Sequence, residues 1–448
     1  MAQDISSTGT APDADRLSGG RLRLAGVTLA VVLLAEWIGP TNFKVGPGQV
    51  VLLPMLWALL LAAAWGLARG RLPSAVRVDT GLQATAGGLL NAALLLFIAK
   101  LGLTVGGGLP MIRQAGWALF FQEFGHALGT LALGLPLALL LGLKREAVGS
   151  TFSVGREGNI AIIAEAYGMA SPEGRGVLAE YITGTVLGAL FIAILAGFLT
   201  SLHVFDPRSL AMGAGVGSGS MMAAAIGAIT AQQPADSVSQ LTAIAAASNL
   251  LTTVFGFYFT LFLSLPACSW LYGRLEPVLG RLSARGRQPV EEAGPGAMQE
   301  ALVAHGSSLA DVGTAWLVVC GGVMIGNLLS FKVPLEVSLT GMGVVVAIAA
   351  AAEALKRLFP RLPQILVLSV LATVIGIPGL LPFSDTVLAL TGKLNFLAFT
   401  TPVLALAGFS VAKDLPLFRR LGWRIVLVSL TATAGTFLGA TLIAEFFH

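Results

Sequence analysis

A chain of 448 residues, 55% hydrophobic and only 11% charged, with mean hydropathy +0.83, falls outside the soluble class. Soluble domains carry about 25% charged residues. The net charge of +4 needs no nucleic acid, because cytoplasmic loops of membrane proteins are rich in Lys and Arg. Its two cysteines, Cys268 and Cys320, lie in apolar runs, which argues against a disulfide framework and a Cys-ligated zinc site.

Residues 1–20 are polar and mixed in charge, and read as a disordered cytoplasmic tail. The run from Leu24 to Ile38 follows Arg21 and Arg23 like a signal peptide. It lacks a small-x-small cleavage site, and many spans follow it. Apolar windows bounded by Gly, Pro and charge predict an all-α polytopic membrane protein with about thirteen transmembrane helices. Three form an N-terminal unit (21–114): Arg21–Ile38, Val50–Ala68 and Leu82–Leu101. Five more lie in 115–271: Ala115–Leu141, Val148–Gly168, Gly176–Thr200, Ser209–Thr230 and Leu241–Leu271. A cytoplasmic linker (272–311) precedes the last five, in 312–448: Val312–Ser330, Pro334–Leu355, Leu362–Leu381, Leu394–Val411 and Trp423–Glu445.

Alternate loops hold Arg69/Arg71/Arg77, Lys144/Arg145, Arg208, the Arg-rich linker, Lys356/Arg357/Arg361 and Lys413/Arg419/Arg420. The intervening loops hold only Lys44, Arg113, Arg175, Lys332 and Lys393. This asymmetry predicts a cytoplasmic N-terminus and an external C-terminus. It also favours counting Val148–Gly168 as a span, since otherwise the basic linker falls outside.

Two sets of five spans around the linker predict two inverted repeats, 115–271 and 312–448, each with a broken fourth helix. In the first, Gly213–Met222 (GAGVGSGSMM) places glycine at every second position, each costing about 1 kcal/mol against alanine in a helix. A Gly-rich helix packed closely on its neighbours is the competing reading. In the second, Thr400–Thr401–Pro402 interrupts the fourth span, a plain proline kink being the alternative.

Charged groups at bilayer depth are candidates for function. Glu123 and His126, three apart on one helix face beside Gln122, suit proton or cation coupling; mutual satisfaction in a packed bundle is the bland alternative. Arg156, Glu157 and Asn159 lie in a Gly-framed stretch where Arg156 can hold a carboxylate with its planar fork, form a structural ion pair or snorkel. Glu165 and Glu180 read as interfacial, Asn249, Thr252 and Thr253 as helix glue, and Lys100 and Glu36 as snorkelling groups near span ends. Glu336 holds a place matching Glu157 under the repeat, which an interfacial position explains equally well. The Gly-rich stretch lacks the ending of a phosphate loop, and no His-Glu-x-x-His occurs. No enzymatic activity, cofactor or metal is expected.

Val154–Tyr167 (VGREGNIAIIAEAY), Gly215–Ala225 (GVGSGSMMAAA) and Leu394–Gly422 (LNFLAFTTPVLALAGFSVAKDLPLFRRLG) together resemble an uncharacterised bacterial membrane family, the domain-of-unknown-function 3100 group. The resemblance covers most of the chain after about residue 80. More distantly, the arrangement is similar to sodium–glutamate symporters, 2-hydroxycarboxylate transporters and lysine exporters. That likeness implies a cation-coupled carrier with its site between the repeats. Thr-Thr-Pro stands where those carriers usually have a second Gly-rich hairpin, so no binding residue is carried over.

The expectation is a secondary transporter for a small polar, anionic organic solute, coupled to sodium or protons. Gly215, Gly217, Ser218, Gly219, Ser220, Thr400, Thr401 and Pro402 line its site with Arg156 and Asn159; Glu123, His126 and Glu157 serve coupling. Its partners are the bilayer, the solute and the coupling ion, with a homodimer left open. An intramembrane enzyme, a non-transporting sensor and a channel are the alternatives.

Overall fold

The computed structural model describes residues 11–45, 48–109, 116–154, 157–168, 171–215, 217–283, 308–359, 364–418 and 422–447. Among these residues it is helical apart from one hairpin, β1 (Thr41–Val45) paired antiparallel with β2 (Gly48–Leu52) from Thr41↔Leu52 to Val45↔Gly48. Among the described residues seven helices are long and apolar enough to cross a membrane, and the protein is a multi-pass membrane protein.

Helix α1 (Ala11–Ile38) begins inside the stretch expected as a tail. The β-hairpin leads to α2 (Pro54–Leu67), and α3 (Thr80–Gly107) starts where Asp79 accepts from Leu82 N at 2.9 Å. Helix α4 (Ala118–Leu140) follows. The starts of α1 and α11 (Leu309–Leu329) share a face, since Arg21 Nε donates to Asp311 Oδ1 at 2.8 Å and Asp311 joins Ser308 in a capping box.

Two expected spans do not cross. Helices α5 (Glu146–Thr151) and α6 (Glu157–Ala166) measure about 9 and 15 Å at 1.5 Å per residue, short of roughly 30 Å of hydrocarbon. Arg145 pairs with Glu173, and Arg175 Nη2 reaches Glu146 Oε1 at 2.8 Å. Val148 O and Tyr167 Oη both meet one turn of a later helix, at Cys268 Sγ (3.8 Å) and Ser269 Oγ (3.1 Å). A segment whose ends meet the same turn has returned to its starting face, so Val148–Gly168 is a re-entrant hairpin.

The Gly-rich segment does the same from the other face. It divides into α8 (Pro207–Ala214) and α9 (Gly219–Thr230). Asp206 N donates to Glu445 Oε2 at 3.1 Å, at the end of α16 (Trp423–Glu445), and α8 descends along α16 until Gly213 abuts Thr441. Helix α9 climbs back beside the long helix α7 (Pro172–Leu202), from Met221 at Gly188 to Gln232, whose Nε2 donates to Gly197 O at 2.9 Å. Each hairpin removes one expected crossing. The two changes cancel in parity, so the crossings after Ala235 keep their direction relative to those before Glu146. Arg175 therefore joins Lys144 and Arg145, while Arg208 moves to the face of Asp206 and Glu445.

Helix α10 runs through Ala235–Phe259, a π turn at Thr260–Ser264 and Leu265–Leu282. The second half comprises α11, α12 (Leu335–Leu358), α13 (Gln364–Ile375), α14 (Ser384–Thr391), α15 (Phe396–Phe418) and α16. Its interruption lies at residues 392–395, between α14 and α15, and not at Thr400–Thr401–Pro402, through which α15 is continuous. The ring of Pro402 fits against Gly322, where a Cβ would lie 2.7 Å from it, so the missing hydrogen bond does not end the helix. The two five-element units do not match element for element, because α12 is unbroken where the first unit has its α5–α6 hairpin.

A close seam joins α4 to α16. Gly125 and Gly129 face Gly439 and Gly435, and a Cβ on any of the four would lie 2.0–2.2 Å from a facing carbonyl. Two Gly-x-x-x-Gly stretches thus bring backbones together where side chains supply little hydrophobic drive. Gly129→Leu should destabilise the protein by about 3 kcal/mol or more. Gly343→Ala, with open space around it, should stay within about 0.5 kcal/mol. Thermal unfolding of purified protein compares the two. In a background without native cysteines, Lys144→Cys and Ser171→Cys should react with an impermeant maleimide from one side of the membrane, and Gln233→Cys from the other. Labelling of the first two from opposite sides restores the expected span.

Candidate functional site

The polar stretch of α10 gathers the candidate residues. The turn between α8 and α9 leaves the helix at Gly215, and Gly217 takes φ +92°, a left-handed conformation that glycine accommodates without strain. Asn249 Nδ2 donates to Gly215 O at 2.7 Å and reaches Gly217 O at 3.4 Å; Ser248 Oγ donates to Met212 O at 2.8 Å. Met212 O also accepts from Gly215 N at 3.0 Å, so these side chains add to the bonding that the interrupted helix retains there. Gly215 also permits contact with α10, since a Cβ there would lie 2.2 Å from Ser248 Oγ. Ser218 caps α9 and lies 3.1 Å from Ser220 Oγ; Ser218, Gly219 and Ser220 are half-buried. The segment is both close-packed and broken, so the two readings of its glycines apply to different atoms.

Thr252, three residues beyond Asn249, donates to Glu123 Oε1. Gln122 Nε2 donates to the same oxygen at 2.8 Å, and His126 Nδ1 lies 3.6 Å from Glu123 Oε2. All three α4 side chains are buried, and His126 Nε2 and Gln122 Oε1 have no hydrogen-bond partner among the described residues. Two turns further along α10, Thr260 Oγ1 donates to Ser153 Oγ at 3.3 Å, where α5 gives way to the turn of its own hairpin. From Asn249 to Thr260 is about 16 Å along the helix. Both hairpin turns thus rest on one helix, with the Glu123 carboxylate between their contacts.

The structure brings Gly215, Gly217, Ser218, Gly219 and Ser220 together on Asn249, and Thr252, which holds Glu123, lies one helical turn further along α10. Arg156 lies outside the described residues. Glu157 opens α6, and Asn159 is buried with Nδ2 unpartnered among the described residues. Thr400, Thr401 and Pro402 serve the packing of α15: Thr400 Oγ1 bonds Leu397 O and Met55 Sδ, and Thr401 Oγ1 donates to Glu36 Oε1 at 2.7 Å. Their hydrogen bonds, among the described residues, run to α15 itself, Met55 and Glu36 and not to the Gly-rich turn.

Asn249 and Thr252 join helices as expected, and their partners are the Gly-rich turn and Glu123. Other sequence readings change. Glu36 and Lys100 do not snorkel: both are buried, and Lys100 Nζ donates to Thr391 O at 2.7 Å, at the end of α14. Glu173 and Glu180 are buried too. At the base of the α5–α6 hairpin, the Arg145 guanidinium sits 5.7 Å from the ring centroids of Tyr167 and Tyr272. Its hydrogen bond with Glu173 pushes its pKa above the ordinary arginine value.

No curated protein and no solved structure matches the chain. Residues 33–274, more than half of the chain, match the family described as a protein of unknown function (DUF3100), and the chain belongs to that family.

Proposed function

We propose that this protein is a secondary transporter of a small polar, anionic organic solute, coupled to protons or sodium, in the bacterial inner membrane. One observation carries the reading: two helical hairpins enter from opposite faces and rest on the same polar stretch of α10. Interrupted helices of opposite entry, meeting near the bilayer centre, suit alternating access to one site. The basic N-terminal face is the cytoplasmic one.

The repeat behind this arrangement is smaller than the expected pair of five-helix units. It consists of a hairpin followed by a long helix, 146–202 and 207–264. Val154–Gly155 and Val216–Gly217, the first residues of α6 and α9 (Glu157 and Gly219), and Pro172 and Pro234 each stand 62 positions apart. The two copies run in opposite directions through the membrane.

The start of α9, with its first-turn amides and the hydroxyls of Ser218 and Ser220, suits a carboxylate, and Arg156 supplies the cation. Glu123 and His126 form a carboxylate–imidazole pair suited to carrying a proton. The coupling pair lies one turn from the solute's turn, so occupancy of one alters the packing of the other through Thr252 and Asn249.

A thermal-shift screen of amino and hydroxy acids identifies the solute, and uptake into proteoliposomes then tests the assignment. Glu123→Gln should fold and lower coupled uptake ten- to a hundredfold, the effect of removing a charged hydrogen-bonding partner worth about 1.5–3 kcal/mol. Full uptake by that variant removes Glu123 from the coupling path. Asn249→Ala should weaken solute binding and lower stability by about 1–3 kcal/mol, because two carbonyls of the turn lose their donor.

A further inference from the structure

The break between α14 and α15 gathers hydrogen-bond donors from two other helices, and some of them are left over. We propose that residues 391–396, with Lys100 of α3 and Asn327 of α11, form a binding site for one small monovalent anion. Lys100 is 6% exposed, and its Nζ donates to Thr391 O at 2.7 Å. Phe97, one turn earlier on the same face of α3, packs on Phe396 with ring centroids 5.3 Å apart, which sets Lys100 against the start of α15. Asn327 is fully buried, and its Oδ1 accepts from Asn395 N at 3.1 Å. Its neighbour Gly326 packs on Ala398, in the first turn of α15.

Donors outnumber acceptors at this break. The amide of Asn395 can only donate, so it fixes Oδ1 of Asn327 and leaves Nδ2, which has no partner among the described residues. An ammonium carries three N–H bonds, and Thr391 O takes one of them. Asn395 Oδ1 accepts from Leu397 N at 2.9 Å, while Phe396 N, the first amide of α15, has no acceptor among the described residues. No Asp or Glu among those residues pairs with Lys100. Glu36, which also approaches Gly326, accepts from Thr401 and Ser330 instead. A buried cation without a counter-charge and a buried amide without an acceptor are each expensive.

An anion, which only accepts, answers all of these groups at once. The positive end of the α15 dipole adds to the charge of Lys100. One buried lysine balances one negative charge, which suits a monovalent ion better than a phosphate or sulfate dianion. A halide and a carboxylate group share that chemistry. Gly392 and Lys393, on the same turn, are exposed and leave the ion a way in. The site shares no residue with the Gly-rich turn or the Glu123–His126 pair. It does not rest on the carrier reading, because binding is measured without transport.

The test is thermal unfolding of the purified full chain in sodium chloride, sodium formate and sodium isethionate, the bulky reference anion, at equal ionic strength and fixed pH. Chloride, formate or both should raise the midpoint saturably above isethionate, and which of them does so tells an inorganic ion from a carboxylate. Lys100→Met should abolish the response. Thr391 O keeps Leu394 N as a donor at 3.1 Å, so this variant should fold. Asn327→Asp keeps an acceptor for Asn395 N but puts a carboxylate where the amide donors were. It should raise the half-saturating anion concentration by about tenfold or more. Equal midpoints in the three salts overturn the proposal, as does a response that either variant keeps unchanged. Should Lys100→Met fail to fold, an unchanged half-saturating concentration in Asn327→Asp overturns it equally.

Discussion

Backbone that leaves the helix inside a membrane must find its hydrogen-bond partners in protein or in enclosed water, and this requirement governs the arrangement of the chain. At the Gly-rich turn it is met by Asn249 and Ser248, which serve the carbonyls of Gly215, Gly217 and Met212. At the interruption before α15 it is met by Lys100 on Thr391 O and by Asn327 on Asn395 N. These polar side chains explain why both breaks persist and why helices α3, α10 and α11 carry polar groups at depth. The same residues bring chemistry into the bilayer, so a device that stabilises an interrupted helix also builds a polar site.

Composition and apolar windows gave the class of protein and the positions of most helices, because burial in lipid leaves a strong signal. The windows missed the difference between crossing and returning. An apolar stretch of some twenty residues fits one helix or two antiparallel halves, and hydropathy alone does not separate them. Punctuation separates them better. Asp206–Pro207 and Ser171–Pro172 are helix starts, and Ser218 caps a second start inside the Gly-rich window. Both misread segments return to the face they enter from, so the parity of the later crossings is unchanged.

The candidate site was legible where a motif was dense and illegible where it depended on partners. Glu123 and His126 stood out as charges on one face of an apolar helix. Asn249 and Thr252, single polar residues in an alanine-rich run, gained meaning only when the turn they serve was placed against them. Thr400–Thr401–Pro402 misled in the other direction. Proline looked like a break, but Gly322 on a neighbouring helix leaves room for its ring, and both hydroxyls are engaged within α15 or with Glu36 and Met55. Glu36 lay close enough to the end of its apolar run to pass for an interfacial group, and only the convergence of α1, α11 and α15 buries it.

Packing divides the molecule into stiff and adjustable parts, and that division bears on mechanism. The α4–α16 seam joins backbone to backbone through four glycines, and the base of the α5–α6 hairpin is held by the reciprocal pairs Arg145–Glu173 and Arg175–Glu146 over a close crossing at Gly149 and Gly176. Neither contact can slide without backbone collision or loss of two ion pairs. The turn of the α8–α9 hairpin is different. Ser218, Gly219 and Ser220 are half-buried, and a Cβ on Gly219 would meet nothing nearer than Leu94 at 3.9 Å. A shift confined to Ser218, Gly219 and Ser220 therefore disturbs little packing, whereas a shift at the base of the other hairpin costs two ion pairs. If the two copies of the repeat alternate in exposing one site, the α8–α9 turn is the half that opens at the lower cost.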